Sequence, residues 1–302
     1  MKAMILAAGL GTRLLPFTLK RPKPLFPILN RPLLHLTISR IRKAGFSEII
    51  VNAHHLRQQI SKALQNESNC ILQEEEIVLG TGGGLRMARP HFNHEPVLVV
   101  NGDIYHTVDY QEVYRNHNES KADVTLVLHD YPRFNDVEVD ERLMVTGFNS
   151  SHKKPGGLKN TLAFTGIHVI DPGVLEIIPS NTPYCIIECY KKLLEQGGTI
   201  RAYLATDHFW TDMGTPEDYL KLHADLLARK IPVYGELEEV LTEAPFVGTH
   251  NASIAEDVTL LDWACIGKEA AIKAGATLQR VIVWNNAIVP AGSVIKDTIV
   301  TS

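Results

Sequence analysis

Residues 1–28 read MKAMILAAGLGTRLLPFTLKRPKPLFPI, a strand-like apolar run followed by a glycine turn and several basic residues. The apolar run Met4–Ala8 predicts a buried strand that leads into a Gly-x-Gly turn at Gly9 and Gly11. Because glycine has no side chain, main-chain N–H groups in such a turn can approach a phosphate closely. Arg13 and Lys23 follow in the same stretch as candidate phosphate-binding cations. It therefore predicts the first strand of an α/β sheet with a phosphate-binding turn at its end.

The composition is that of a globular protein, with 302 residues, 45% apolar residues and a net charge of −4. A balance of 30 basic and 34 acidic residues gives no support to nucleic-acid binding. No apolar run reaches the roughly 18 residues of a membrane span. The start of the chain lacks the features of a secretory signal. The four cysteines are scattered and form no C-x-x-C pair, so we expect a reducing, cytoplasmic location.

Strand-like and helix-like patterns alternate along the first part of the chain. Strands are predicted over 48–52, 97–100, 124–128, 164–170 and 199–204, and helices over 33–44, 56–64, 185–194 and 216–229. A mobile loop is predicted over 147–160, which is rich in Gly, Ser, Lys and Asn. Such alternation is typical of a mostly parallel sheet covered by helices. Ligands of these sheets bind outside the carboxyl ends of the strands.

A different period begins near residue 246, where apolar residues recur every six positions. The series is Ile254, Leu260, Ile266, Ile272 and Leu278, then, after a step of four, Ile282, Ile288, Val294 and Val300. A period of six predicts hexapeptide repeats wound into a parallel β-helix over 246–302, after a catalytic domain over 1–235. So few coils bury little core alone, so we expect them to pack on the first domain or to form a homo-oligomer.

Three further segments carry candidate chemistry. Gly80–Gly84 (GTGGG) follows an acidic segment and leaves the main chain almost bare, as suits contact with a base or a phosphate. Asp103 ends the apolar run VVNGD, and Asp212 lies in WTDMGT. Two aspartates with triphosphate oxygens and water would complete an octahedral Mg²⁺ site.

The motifs MILAAGLGTR, RPKP, LGTGGG, VVNGD and WTDMGT, followed by hexapeptide repeats, occur in an order that resembles the sugar-1-phosphate nucleotidylyltransferases. The segment EEEIVLGTGGG is similar to mannose-1-phosphate guanylyltransferases, whereas NAHHLRQQI and FTGIHVI resemble the N-acetylmuramate-1-phosphate uridylyltransferase branch. The resemblance implies an α/β, Rossmann-like mixed-sheet nucleotidyltransferase domain followed by a short left-handed parallel β-helix.

It also implies a reaction of EC 2.7.7 type, in which an NTP and a sugar 1-phosphate give an NDP-sugar and pyrophosphate. The sugar phosphate would attack the α-phosphorus in line, with Mg²⁺ as the cofactor and no covalent enzyme intermediate. The implied nucleotide-binding residues are Leu6, Ala7, Ala8, Gly9, Gly11, Thr12, Arg13, Glu75, Gly80, Thr81, Gly82 and Asp103. The implied sugar-phosphate residues are Lys23, Gly166, Glu188 and Asp212. The implied catalytic residues are Arg13, Lys23, Asp103 and Asp212, of which Asp103 and Asp212 would bind the metal.

The chain departs from the family pattern in the sugar region, and this leaves the sugar open. His152–Pro155 (HKKP) stands where many members have Glu-Lys-Pro, and Phe164–Gly166 (FTG) stands where many have Asn-x-Gly. The base is open as well, because the loop before Gly80 differs in length from that of members with known specificity.

Two alternative functions remain. A hexapeptide-repeat acyltransferase would need a catalytic histidine on a coil, and the tail contains only His250, before the repeat settles. A non-catalytic regulatory or scaffold homologue would be expected to lack one of the phosphate or metal residues, and the sequence retains them all.

Overall fold

The computed structural model describes residues 1–148 and 160–302, so part of the loop predicted over 147–160 and the His152–Pro155 segment lie outside the described residues. The chain forms two compact units. The first contains residues 1–10, 38–102 and 108–208, and the second contains 11–37, 103–107 and 209–302. No helix among the described residues is long and apolar enough to cross a bilayer.

Helices and strands are numbered in chain order. The helices are α1 Leu33–Lys43, α2 Arg57–Leu64, α3 Gly80–Ala88, α4 Tyr110–Ser120, α5 Ile186–Glu195 and α6 Pro216–Leu227. The strands of the first unit are β1 Lys2–Leu6, β4 Glu48–Ala53, β5 Cys70–Glu74, β6 Val97–Asn101, β8 Val124–His129, β9 Asn135–Val139, β10 Val145–Phe148, β11 Asn160–Ile170 and β12 Ile200–Leu204. Those of the second unit are β2 Pro27–Ile28, β3 Arg31–Pro32, β7 Tyr105–His106, β13 Trp210–Thr211, β14 Phe246–Val247, β15 Ser253–Ile254, β16 Thr259–Ile266, β17 Ala271–Ile272, β18 Thr277–Val283, β19 Ile288–Val289 and β20 Val294–Val300.

The nine described strands of the first unit form one mixed sheet. Its order is β10-β9-β11-β6-β1-β4-β5, and β8 pairs with both β11 and β12. The pairs β1–β4, β1–β6, β4–β5 and β8–β12 are parallel, whereas β11 runs antiparallel to β6, β8 and β9. The prediction of a Rossmann-like mixed α/β core is confirmed.

The strand register places the ends of three parallel strands level with one another. Leu6 at the end of β1 pairs with Asn52 on β4 and with Asn101 on β6. The strand predicted over Met4–Ala8 therefore ends two residues early, because the Ala7 N–H donates to the Asn52 side chain rather than to a neighbouring strand. Polar groups thus collect at this edge of the sheet.

An aromatic cluster fills the core of the second unit. The Phe26 ring packs edge-on against Trp284, with centroids 4.9 Å apart, and lies 5.5 Å from the Tyr219 ring. The Tyr219 hydroxyl donates to the main-chain oxygen of Pro27. These contacts fix the segment that leads into the β2–β3 hairpin.

Residues 246–300 form two stacks of parallel strands, which we call the strand stack. One stack has the order β14-β16-β18-β20, and the other has the order β15-β17-β19. Phe246 pairs with Ala264 eighteen residues later, and Ala264 pairs with Val281 seventeen residues later. Val281 in turn pairs with Thr298, again seventeen residues later. A spacing of eighteen equals three hexapeptides, so the strand stack follows the predicted period of six with one residue missing from each of the two later intervals.

The first missing residue changes the phase, and the inward positions predicted for Ile288 and Val294 are wrong. Their exposed fractions are 62% and 79%, whereas Val283 and Val289 are fully buried in the core of the strand stack. The step after Leu278 is therefore five residues rather than four. A step of four places Ile282 at the next inward position, and a step of five places Val283. Both are β-branched apolar residues, so the hydrophobic pattern does not distinguish the two steps.

Candidate functional site

Lys23 joins two predicted catalytic aspartates in the second unit. Its buried Nζ lies 2.9 Å from Asp103 Oδ2 and donates to the main-chain oxygen of Asp212 at 2.5 Å. A buried ammonium is stabilised by such partners, because water does not reach it freely. The structure therefore holds Asp103 and Asp212 beside one cation.

Arg13 pairs with the second aspartate. Its Nη1 lies 2.9 Å from Asp212 Oδ2, and the Gly214 N–H donates to Asp212 Oδ1 at 3.2 Å. A Cβ added at Gly214 would lie 2.4 Å from the Arg13 guanidinium, so only glycine leaves this pair undisturbed. The Arg13 side chain is 55% exposed, so its guanidinium remains accessible to an incoming phosphate.

A short antiparallel ribbon brings the two aspartates together across the sequence. β7 pairs with β13, with Thr211 opposite Tyr105. Asp103 lies two residues before Tyr105, and Asp212 directly follows Thr211. Four charged groups, those of Arg13, Lys23, Asp103 and Asp212, form a cluster that we call the Lys23 cluster.

The turn that contains Gly11 is also ordered within the second unit. The Leu14 N–H donates to Gly11 O, and the Thr18 hydroxyl donates to the same oxygen at 3.2 Å. Thr12, a predicted nucleotide residue, begins the short 3₁₀ turn Thr12–Leu14. This turn carries Arg13 toward Asp212.

In the first unit, a buried hydrogen-bond chain joins the ends of neighbouring strands. Asn52 accepts from the Ala7 N–H at 2.7 Å and donates to Glu75 Oε1 at 2.7 Å. Glu75 Oε2 accepts from the Leu79 N–H at 3.1 Å. Glu75, a predicted nucleotide-binding residue, therefore also fixes the main chain at Leu79, directly before Gly80. Sequence reasoning missed Asn52, although an amide at the end of the apolar run EIIVNA is a signal.

The glycine-rich segment 80–84 is the first turn of α3 rather than an open loop. The N–H groups of Gly82 and Gly83 donate to the Tyr184 main-chain oxygen at 2.9 and 3.2 Å. The Thr81 hydroxyl accepts from the Ile186 N–H at 3.0 Å. The glycines therefore allow the main chain of the segment before α5 to pack closely on α3. A nucleotide role for Gly80, Thr81 and Gly82 stays a prediction.

Gly166 forms an irregularity in β11, next to the end of β6. It adopts a positive φ of 80°, and an added Cβ would lie 2.4 Å from Asn101 Nδ2. The backbone conformation and the neighbouring amide both favour glycine here. Glu188, by contrast, lies on the exposed surface of α5, where its carboxylate pairs with Lys191 at 2.9 Å. Of the remaining predicted residues, Leu6 ends β1, Ala8 is buried, and Gly9 has open space around its Cα.

Sequence reasoning missed two histidines: His129 is the last residue of β8, and His208 follows β12 by four residues. His208 Nε2 is 3.3 Å from His129 Nδ1. Burial, and after it the neighbouring His208, lowers the pKa of His129 to about 4; burial also lowers the pKa of His208. Both imidazoles are therefore neutral at pH 7.

No cluster of three or more His, Cys, Asp or Glu side chains suited to a metal occurs within residues 1–148 and 160–302. The two carboxylates of the Lys23 cluster nevertheless fit Mg²⁺, because this ion usually takes one or two carboxylates and completes its shell with substrate phosphate and water. Their hard oxygens already lie against cations.

Known proteins match this chain over nearly its whole length. Residues 2–229 match the nucleotidyl transferase family. Mannose-1-phosphate guanylyltransferase of Mycobacterium tuberculosis is 30% identical over 306 residues, which cover 97% of this chain and 82% of that protein. The chain belongs to the nucleotidyl transferase family. The predicted resemblance to sugar-1-phosphate nucleotidylyltransferases is thereby confirmed.

Two further proteins are similar to this chain. UTP–glucose-1-phosphate uridylyltransferase of Synechocystis is 26% identical, with 99% of this chain and 87% of that protein covered. The crystal structure of HddC from Yersinia pseudotuberculosis, 24% identical, superposes with a TM-score of 0.63 over 74% of this chain and 99% of that one. At that identity the superposition shows a shared fold alone.

Proposed function

We propose that this protein transfers a nucleotidyl group from an NTP to a sugar 1-phosphate and releases pyrophosphate. The observation that carries the proposal is the Lys23 cluster, which holds two cations and two carboxylates together in a member of the nucleotidyl transferase family. Phosphoryl chemistry requires this combination, because the enzyme must both neutralise phosphate charge and position the reacting groups.

The proposed reaction is an in-line attack by an oxygen of the sugar phosphate on the α-phosphorus of the NTP. Arg13 binds the β- and γ-phosphates and stabilises the leaving pyrophosphate. Lys23 binds the α-phosphate or the sugar phosphate. Both cations act by electrostatic stabilisation, so no side chain is acylated or phosphorylated.

Asp103 and Asp212 would hold Mg²⁺, which supplies charge neutralisation of the phosphoryl oxygens when bound. Before substrate binds, Lys23 and Arg13 neutralise these carboxylates. We propose that the incoming phosphates take over the two cations, and that the carboxylates become available to the metal at the same time.

For the nucleotide we propose the turn from Leu6 to Arg13 together with Glu75, Gly80, Thr81 and Gly82, and for the sugar phosphate Gly166 and Glu188 with Lys23 and Asp212. The hydrogen bonds of Asn52 and Glu75 support this assignment, because they fix the main chain at Ala7 and Leu79. The names of the relatives make GTP, UTP, mannose 1-phosphate and glucose 1-phosphate the first substrates to test.

We also propose a catalytic domain over 1–235 and a left-handed β-helix of hexapeptide repeats over 246–302. The pairing intervals of seventeen and eighteen residues support the β-helix. Its last strand, β20, has β18 as its paired neighbour in the strand stack, so we propose that a second copy covers its other edge and forms a homo-oligomer. Four free cysteines agree with a cytoplasmic location.

The decisive experiment is an assay of pyrophosphate release with each of four NTPs and a panel of sugar 1-phosphates. Activity with at least one pair, dependent on Mg²⁺, is the expected result. Absence of turnover with every pair, together with tight NTP binding, would favour the scaffold alternative. Acyl transfer from a CoA thioester would favour the acyltransferase.

A further inference from the structure

A cavity lies in the second unit, and none of the Lys23 cluster residues lines it. Its volume is about 390 Å³, and its walls come from the β2–β3 hairpin, the segment 239–251 and the strand stack. None of the residues that line it belongs to the predicted site. Cavities of this size are typical of small-molecule sites.

The hairpin that forms one wall is held in a demanding conformation. Leu29 and Asn30 both have positive φ, at 46° and 66°. The Leu29 N–H donates to Nε2 of the buried His223 at 3.2 Å, and Asn30 Nδ2 donates to Ile266 O at 2.8 Å. A β-branched or long side chain adopts this conformation only when its surroundings fix it. The wall is therefore preformed.

The cavity carries both cations and hydroxyl-binding groups. The cations Arg31 and Lys268 line it, together with His250 and amides such as Asn285. One lining carboxylate is already engaged, because Glu243 Oε2 accepts from the Gly248 N–H at 2.6 Å and lies 3.4 Å from His250 Nδ1. Guanidinium and ammonium groups bind phosphate, whereas amides and carboxylates bind sugar hydroxyls.

We propose that this cavity binds a sugar phosphate or polyol phosphate at a site separate from the Lys23 cluster. Its phosphate is held by Arg31 and Lys268, and its hydroxyls meet Asn285 and the carboxylate of Glu239. The ligand is recognised as a phosphate ester on a polyhydroxylated chain, and no anomeric phosphate is required.

The wall of this cavity is continuous with the segment that positions Lys23. Only six residues separate Lys23 from Asn30, and Lys23–Leu29 are all buried. Within this segment Phe26 packs on Trp284, which directly precedes the lining residue Asn285. A ligand that draws the two walls together therefore acts on the packing behind Lys23. This effect on catalysis rests on the proposed function, whereas binding itself does not.

The first test measures binding of sorbitol 6-phosphate to the full-length protein by isothermal titration calorimetry. This probe lacks an anomeric phosphate, so it is not a substrate of the proposed reaction. We expect saturable binding at one site, and at least tenfold weaker binding by Arg31→Ala/Lys268→Ala. Both side chains are exposed, so the double variant should fold. Absence of binding, or equal affinity in the double variant, would overturn the proposal.

A Lys23→Met variant separates the two phosphate sites. The proposal expects it to bind sorbitol 6-phosphate as the unaltered protein does, whereas loss of binding would place the probe at the Lys23 cluster and overturn the proposal. Inorganic phosphate serves as the second probe. Weaker binding of phosphate alone is expected if the hydroxyls are recognised, and equal affinity would remove the polyol from the proposal.

The effect of the cavity ligand on catalysis at the Lys23 cluster is tested by pyrophosphate release at saturating sorbitol 6-phosphate. A change in kcat that is absent from Arg31→Ala/Lys268→Ala is expected, and an unchanged rate would contradict the coupling. If the protein binds the probe at this cavity but releases no pyrophosphate with any substrate pair, the proposed function fails while the cavity assignment stands.

Discussion

Lys23 and Asp103 form an ion pair, with Nζ 2.9 Å from Oδ2, although 80 residues separate them in the chain. The same ammonium donates to Asp212 O. A single buried cation thus contacts the carboxylate of Asp103 and the main chain of Asp212. The two groups of this pair neutralise each other. In the proposed reaction Lys23 would instead neutralise phosphate, and Asp103 would bind the metal.

Replacing Lys23 by Met keeps an apolar stem and removes the charge. If Lys23 acts on phosphates, kcat/KM should fall by about 10²–10³ for every accepted sugar, the range seen when one preorganised donor is lost. Steady-state pyrophosphate release with two sugars measures this. The surface variant Lys221→Met is the matched control. A loss confined to one sugar would instead assign Lys23 to the sugar pocket.

Asp103→Asn retains an acceptor for Lys23 but removes a metal-binding charge. We expect turnover to fall by two or more orders of magnitude, and the Mg²⁺ concentration for half-maximal rate to rise. The thermal unfolding midpoint should stay within a few degrees. Asp262→Asn, which alters an exposed ion pair in the strand stack, is the control. Near-normal turnover would remove Asp103 from the metal site.

Gly214→Ala should displace the Arg13 guanidinium from Asp212, because the added methyl group would lie 2.4 Å from Nη1. The arginine is flexible and half-exposed, so the protein should fold with a stability close to that of the unaltered chain. We expect a fall in kcat of about tenfold or more, measured by pyrophosphate release. Gly235→Ala provides the comparison, because its added methyl group meets no atom within 4 Å.

Stability should fall in mild acid because of His223. Burial lowers the pKa of this imidazole to about 4, while its hydrogen bond to Tyr219 O partly opposes the shift. Between pH 6.5 and 4 the unfolded state therefore binds more protons, and the free energy of unfolding falls as the pH falls, by up to about 3 kcal/mol from this residue. Urea denaturation at pH 7, 6 and 5 measures this.

A His223→Gln variant should show a smaller loss of stability over that interval, whereas the exposed His94→Gln should behave as the unaltered protein does. An unchanged pH dependence in His223→Gln would show that other groups cause the acid loss.

The phase of the strand stack can be tested with two neighbouring residues. Val289→Ala removes buried methyl groups and should cost about 1–3 kcal/mol of unfolding free energy. Ile288→Ala lies on the exposed side and should cost less than about 0.5 kcal/mol. Chemical denaturation of both variants measures these losses of unfolding free energy. A larger loss for Ile288→Ala than for Val289→Ala would support the step of four residues after Leu278.

Local patterns predicted the elements well. The helix predicted over 33–44 occupies Leu33–Lys43, and the strand predicted over 97–100 occupies Val97–Asn101. Each has a clear hydrophobic period and a turn signal at its end. The motifs also predicted that Asp103 and Asp212 share one Mg²⁺, which stays a prediction; both residues contact Lys23.

Long-range contacts were beyond the sequence. Nothing in EIIVNA shows that Asn52 bonds to Ala7 and Glu75, because those partners are distant in the chain. The role of the glycines in α3 was missed for the same reason, since the main chain of 182–186 packs on them. Whether Ile288 or Val289 faces inward depends on one missing residue in a coil, and only strand pairing reveals it.

Asp212 and Lys23 are distant in sequence, since they lie 189 positions apart in the chain. During synthesis, every strand of the nine-stranded sheet leaves the ribosome before Asp212 does. The nascent protein can therefore form its large sheet while it is still chemically inert. Its charged centre becomes complete only after β13 has been synthesised, so a chain that stalls before β13 lacks the Asp212 partner of Lys23 and Arg13.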